Sequence, residues 1–182
     1  MDNLKGKRVA ILTENGFEEV ELTSPKMALE AAGAKVDIVS PQATRVKAWK
    51  ESNWSIDLPV DVQLEKANPD QYDALLIPGG VMNPDLLRRN PGCISFARKF
   101  LDEGKLVAAI CHGPQLLIET GMLQGRKLTS YPSVKTDLIN AGATWFDQEV
   151  VVDRGLVTSR SPKDLDAFNK KIIEQIGETV RA

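Results

Sequence analysis

Residues 108–117, A-A-I-C-H-G-P-Q-L-L, decide how this chain is read. Apolar Leu106 to Ile110 read as a buried strand, and Gly113-Pro114 with Gln115, Leu116, Leu117 and Ile118 as the first turns of a helix. Cys111 then stands on a tight strand-to-helix turn, an arrangement that presents a nucleophile above the end of a sheet. A thiol there lies near the positive end of a helix dipole, which is expected to lower its pKa and raise its thiolate fraction. The alternative is a buried, inert cysteine, since free cysteine is among the most buried residue types. His112, the only histidine, follows directly. A ring one residue after a nucleophile is not expected to fold back onto that sulfur unaided, so His112 reads either as a packed residue or as a base oriented by an acid from elsewhere.

Outward from this turn, strands and helices alternate. Arg8 to Thr13 is an apolar strand. Ser24-Pro25 reads as an N-cap followed by a first-turn proline, opening a helix to Ala32 that Gly33 closes. Lys35 to Ser40 is the next strand, completing a βαβ unit. Between Pro41 and Asn68 the pattern weakens into a small hairpin or excursion carrying Trp49 and Trp54, which read as packing or interface residues. A strand from Asp73 to Ile77 ends at Pro78-Gly79-Gly80, and a helix from Gly92 to Glu103 follows, with Cys93 on its core face. Beyond the Cys111 turn come Lys127 to Thr129, a helix from about Ser133 to Asn140, and two strands, Glu149 to Asp153 and Leu156 to Ser159, joined at Asp153-Arg154-Gly155. A final amphipathic helix turns Leu165, Phe168, Ile172 and Ile176 inward. The pattern predicts one three-layer α/β domain over residues 1–182 with a mostly parallel sheet.

Composition narrows the function. A chain of 182 residues with 42% hydrophobic and 26% charged residues has the makeup of an ordinary globular domain. A net charge of −2 with interspersed signs gives no footprint for nucleic acid or an anionic membrane. No apolar run approaches the ~20 residues of a membrane span, and the N-terminal M-D-N-L-K-G-K-R lacks the apolar core of a secretory signal. Two cysteines make no disulfide framework, which points to a reducing, cytoplasmic setting. One histidine and two cysteines also fall short of the four ligands of structural zinc. No metal or cofactor is expected.

In open α/β sheets, chemistry gathers beyond the carboxyl ends of strands. Three segments fall there: T-E-N-G-F-E-E-V-E-L with Glu14, Glu18, Glu19 and Glu21, then L-I-P-G-G, then A-I-C-H-G-P. The amides of Gly80 and His112 are candidates for an oxyanion pair. A carboxyl beside Cys111 would tend to stay protonated and donate to sulfur, because two negative charges in contact are unfavourable. That donor would also steady an oxidised sulfenate or sulfinate.

At G-F-E-E-V-E-L (16–22), L-L-I-P-G-G (75–80), A-I-C-H-G-P-Q-L-L (109–117), G-R-K-L-T-S-Y-P (125–132) and D-L-I-N-A-G-A (137–143) the chain resembles the ThiJ/PfpI superfamily, in its PfpI-like branch. That branch includes proteins labelled intracellular protease, general stress protein and protein deglycase. The resemblance implies a flavodoxin-like sandwich shared with class I glutamine amidotransferase domains. It implies Cys111 as nucleophile, His112 beside it, Glu18 as the carboxyl on sulfur, and the Gly80 and His112 amides as oxyanion donors. It further implies an acid from a neighbouring subunit, for which V-M-N-P-D-L-L-R offers Asp85, and hence a homodimer or larger assembly. The function so implied is a stress-response hydrolase acting on small aldehydes or glycated proteins. A redox-sensing or chaperone-like protein without turnover, and an intracellular cysteine peptidase, remain as alternatives.

Overall fold

The computed structural model describes residues 4–178. Met1 to Asn3 of the N-terminal stretch, and residues 179–182 of the expected domain span, lie outside the described residues. In chain order the first half runs β1 (Arg8–Leu12), β2 (Phe17–Glu18), α1 (Glu19–Ala31), β3 (Lys35–Ser40), β4 (Arg45–Lys50), β5 (Asn53–Pro59), β6 (Val62–Gln63), β7 (Ala74–Ile77) and α2 (Met82–Arg88). The second half runs α3 (Pro91–Asp102), β8 (Leu106–Ile110), α4 (Gln115–Ile118), β9 (Lys127–Leu128), α5 (Lys135–Asn140), β10 (Thr144–Trp145), β11 (Val150–Asp153), β12 (Leu156–Ser159) and α6 (Leu165–Glu178).

The central sheet has the order β11-β12-β8-β7-β1-β3-β6, parallel except for the β11–β12 hairpin. Its inner strands β12, β8, β7 and β1 are buried on both faces, and the period-two alternation sorts their side chains into two layers. Val9 and Ile11 of β1 face Leu22 and Leu29 of α1 and Phe168, Ile172 and Ile176 of α6. Ala10 and Leu12 face the opposite layer, built on Phe96, Phe100 and Leu101 of α3 and Leu116 and Leu117 of α4. This is the expected three-layer, flavodoxin-like α/β sandwich. Among the described residues no helix is long and apolar enough to cross a membrane.

Two departures from the expected elements matter for function. Helix α1 begins at Glu19, with Glu18 at its N-cap, so Ser24-Pro25 lies inside it rather than at its start. Ser24 accepts a 2.8 Å hydrogen bond from Asn169 of α6, and Pro25 merely lacks the donor that would run to the Glu21 carbonyl. Glu21 thereby falls on the first turn of a helix instead of in a loop. Helix α4 spans only Gln115–Ile118 after a turn at residues 111–114. So short a helix carries little macrodipole, and individual amides take the place of the expected helix terminus.

The excursion after β3 is the expected hairpin. β4 and β5 pair antiparallel with Trp49 opposite Trp54, and β4 runs parallel to β2, which fixes the hairpin beside the end of β1. The two indole rings meet edge-on with centroids 5.3 Å apart.

Candidate active site

The chain reverses its direction of strand placement between β1 and β7: it goes out to β3 and β6 and returns to β7 on the other side of β1. The loops after β1, β7 and β8 meet over this switch point, where open α/β sheets bind ligands. Asn83 of α2, fully buried, ties two of them together. Its Oδ1 accepts from the Glu14 amide at 2.7 Å and from the Thr13 hydroxyl at 3.2 Å, while its Nδ2 donates to the Pro78 carbonyl at 2.9 Å.

Cys111 crowns β8 with φ +61, a left-handed conformation that costs a non-glycine residue about 1–2 kcal/mol. Flanking bonds hold it there: the Cys111 amide donates to Ser159 at 3.0 Å, and its carbonyl accepts from Tyr131 at 2.9 Å. Gly113, next but one, has no room for a Cβ, which would lie 2.7 Å from the Ile77 carbonyl. Glycine is therefore required for the turn to pack on β7.

The amides of His112 and Gly80 lie close enough to the Cys111 sulfur to draw its pKa down. Gly80, at φ +80, approaches the loop after β1 so closely that a Cβ would lie 2.5 Å from the Gly16 carbonyl. The two amides proposed as oxyanion donors are thus brought together at one atom.

The carboxyl at the sulfur is Glu21, which corrects the expectation of Glu18. On the first turn of α1 the Glu21 side chain points inward and is 0% exposed. Its Oε2 accepts a 2.8 Å hydrogen bond from the Gly79 amide. Oε1 is buried without an oxygen or nitrogen partner, and the Cys111 sulfur is the group the carboxyl meets there. Glu18 sits at the helix cap instead, half-buried on the rim of the cavity. The sequence misleads because Glu18, Glu19 and Glu21 differ only in which face of α1 they occupy, and that depends on where the helix starts.

Burial pushes the Glu21 carboxyl up to about 8, with a further contribution from the charge of Glu18 and opposing ones from Cys111 and the Gly79 and Gly80 amides. It therefore keeps its proton at neutral pH. Burial pushes the Cys111 thiol up as well, against the expectation of a lowered value, and an ionised Glu21 adds to that; the His112 and Gly80 amides act the other way. The two groups cannot both be ionised in contact. With the proton on Glu21, the sulfur faces a donor in place of a negative charge.

His112 does reach back to the sulfur, with Nδ1 3.2 Å from Sγ. The help it needs comes from outside the turn. Its ring stacks on Tyr131 at 4.8 Å with 21° between planes, and Nε2 lies 3.2 Å from the Ser133 hydroxyl. Burial lowers its pKa below the ordinary 6.5, so the ring is neutral and able to take a proton. Tyr131 lies in the quoted G-R-K-L-T-S-Y-P marker, but nothing in its spacing ties it to a residue so far upstream. Asp85 is exposed on α2, and no hydrogen bond joins it to His112 among the described residues. Ser133, not an acid, holds the far nitrogen within the chain.

The site opens into a cavity of about 560 Å³ whose wall includes Glu18, Trp49, Glu51, Val81, Met82 and Tyr131. Trp49 of the hairpin therefore lines the site. Among the described residues, no cluster of three or more His, Cys, Asp or Glu side chains is placed to hold a metal ion.

Residues 7–175 match the model of the DJ-1/PfpI family. The chain is 46% identical over 167 residues to a deglycase, PH1704, of Pyrococcus horikoshii, covering 92% of this chain and 98% of that protein. It is 43% identical over 172 residues to protein/nucleic acid deglycase 2 of Escherichia coli, covering 94% and 98%. Its fold superimposes on Drosophila melanogaster DJ-1beta with a TM-score of 0.86 and 31% identity, over 94% of this chain and 90% of that one. The chain belongs to the DJ-1/PfpI family.

Proposed function

We propose that this protein is a cysteine-dependent hydrolase of carbonyl adducts, of the deglycase or cofactor-free glyoxalase type. One observation carries the reading: the Cys111 sulfur, fixed on a strained turn, faces the Glu21 carboxyl, the Gly80 and His112 amides and His112 Nδ1 at the floor of a cavity. Relatives bearing the name deglycase over nearly the whole chain support it.

The neutral imidazole takes the thiol proton at Nδ1, while Ser133 at Nε2 accepts from the imidazolium so formed. The thiolate adds to the electron-poor aldehyde carbon of a free 2-oxoaldehyde, forming a C–S bond. The oxygen that becomes negative is met by the Gly80 and His112 amides. Glu21 stays protonated beside the sulfur, so no second negative charge opposes the thiolate. From free methylglyoxal, transfer of the C1 hydrogen as a proton to C2 converts the hemithioacetal to a thioester. Water then cleaves the C–S bond, giving lactate and the free thiol. From a hemiaminal adduct the thiolate displaces the nitrogen at the same carbon: the C–S bond forms as the C–N bond breaks, the imidazolium gives its proton to the departing amine, and the same hemithioacetal results.

The cavity suits a small carbonyl or a single modified side chain better than the extended backbone a peptidase grips. A redox role shares the same donor at sulfur, since a protonated Glu21 would also stabilise an oxidised thiol. We further propose a cytoplasmic, stress-related setting, and a homodimer or larger assembly in which Asp85 of a second copy approaches His112. Lactate release from methylglyoxal and from its N-acetylarginine adduct tests the central reading. Loss of release in Cys111→Ala, with unchanged melting, is expected; release at the wild-type rate rejects the reading.

A further inference from the structure

The cavity above Cys111 carries an uneven charge. Glu18 and Glu51 stand in its wall among apolar Trp49, Val81, Met82 and Tyr131, with no lysine or arginine among the described lining residues. Both carboxylates are placed by the same small sheet. Glu18 pairs in register with Trp49, and its amide donates to the Gly79 carbonyl at 3.4 Å. Glu51 caps the β4–β5 turn at φ +55, where its carbonyl accepts from the Trp49 indole at 3.0 Å.

Two nearby cations are engaged with other groups. Lys50 Nζ lies 3.5 Å from Glu19, and Lys47 Nζ lies over the Trp54 ring at 5.8 Å. Lys50 is close enough to act on Glu18, but burial and the neighbouring Glu19 and Glu51 act in the opposite sense. Glu21 lies beneath, buried and protonated against the Cys111 sulfur, and adds no charge of its own. The negative charge of the cavity wall therefore comes from Glu18 and Glu51.

We propose that Glu18 and Glu51 make this site selective by charge: they favour carbonyl compounds with an ammonium or guanidinium group beside the reacting carbon and disfavour those bearing a carboxylate. The inference rests on the proposed carbonyl chemistry for its biological meaning, and on the cavity alone for its physics. Like charges in a cleft with low-dielectric walls focus the field and raise the local concentration of the opposite ion.

The test reads approach to the sulfur without turnover. Cys111 is labelled with 2-ammonioethyl, methyl and 2-sulfonatoethyl methanethiosulfonate. In each case the thiolate attacks the sulfenyl sulfur, a disulfide forms and methanesulfinate leaves. Rates are divided by those of the same reagents on 2-mercaptoethanol, which removes their intrinsic differences. The expected cation-to-anion ratio is about tenfold or more above that reference at low ionic strength. It falls part-way in Glu18→Gln and in Glu51→Gln, and to the reference in the double variant. It also shrinks in about 0.5 M salt, as screening requires.

A ratio equal to the reference, or one that the double variant leaves in place, overturns the proposal. Where these reagents are too bulky to reach the sulfur, iodoacetamide and iodoacetate give the neutral-to-anion half of the comparison with smaller, near-isosteric probes, and the same fall toward the reference is expected in the double variant. Circular dichroism and melting curves check that the variants fold. Charge-selective labelling without lactate release would sink the hydrolase reading alone. Lactate release with labelling blind to charge would sink this inference alone.

Discussion

The carboxyl of Glu21, on the first turn of α1, accepts a 2.8 Å hydrogen bond from the amide of Gly79 at the end of β7. This bond sets one carboxyl oxygen against the sheet and leaves the other beside the Cys111 sulfur. The space around it is tight: a Cβ on Gly79 would lie 2.4 Å from Glu21 Oε2 and 2.7 Å from Cys111 Cβ. Gly79→Ala is thus expected to displace the carboxyl and the thiol together. Overpacking of this kind costs about 1–3 kcal/mol, read as a lower melting temperature, and lactate release should drop at least roughly a hundredfold, in the range of a lost general acid–base partner. A variant with wild-type turnover would show that the contact is not required.

The pH dependence follows from the directions of two shifts. Burial moves Glu21 up from the ordinary 4.5 to about 8, so its proton is held through neutrality and lost as pH rises through that value. Loss removes the donor at sulfur and adds a negative charge, both of which oppose the thiolate. Burial moves His112 down from 6.5, so the acid limb, where the base is protonated, lies below that value. A bell-shaped kcat/KM profile is expected, falling above about pH 8 by roughly tenfold per unit. In Glu21→Gln that alkaline limb disappears while the acid limb stays. A profile in which Glu21→Gln keeps the limb near 8 assigns it to another group.

Asn83 should matter more than its distance from the sulfur suggests. It joins the loop after β1 to the loop after β7 through the Glu14 amide, the Thr13 hydroxyl and the Pro78 carbonyl. Asn83→Ala leaves buried polar groups unpaired, at about 1–3 kcal/mol, seen as a lower urea midpoint. Because Glu21 and Gly80 hang from those two loops, Cys111 labelling should slow as well. Asn83→Asp, which keeps the acceptor and loses the donor, should fall between Asn83→Ala and wild type.

The composite site can be tested by mixing. Asp85 is exposed on α2, away from its own chain's His112 network. Cys111→Ala and Asp85→Ala proteins, each inactive if a second copy supplies the acid, should regain activity when unfolded and refolded together. Random pairing in a two-fold dimer restores about one quarter of the wild-type sites. Activity in Asp85→Ala alone, or none in the mixture, argues against the shared site.

Much of this molecule is legible in its sequence, for identifiable reasons. β8 is a run of five buried apolar residues, and α6 repeats Leu165, Phe168, Ile172 and Ile176 at helical spacing, so pattern alone places both. Arg154 and Gly155 take positive φ at the turn between β11 and β12, as the Asp-Arg-Gly triplet suggests. Two of the misreadings lie at the start of α1. Ser24-Pro25 carries a strong local signal for a helix beginning, yet α1 is already formed there and Pro25 is carried inside it by packing. Glu18 is what the resemblance implies, and with α1 starting at Glu19 it is Glu21, one turn in, that faces the sulfur. Helix α2, with Pro84 and only one turn beyond it, has too little periodicity to be read at all. The position of the His112 ring depends on Tyr131 and Ser133, a tertiary relationship with no local signature.

The most direct test is the pH dependence of Cys111 alkylation, read site by site by mass spectrometry, with Cys93, fully buried in the core on α3, as the control within the same chain. Cys111 is expected to react at least about tenfold faster than Cys93 at pH 7.5, because its sulfur opens on the cavity beside a neutral imidazole that can take the thiol proton. Glu21→Leu is also expected to move the Cys111 profile to higher pH, whereas Glu18→Leu moves it far less. A Cys111 profile that tracks Cys93, or one indifferent to Glu21→Leu, would contradict a poised nucleophile held by Glu21.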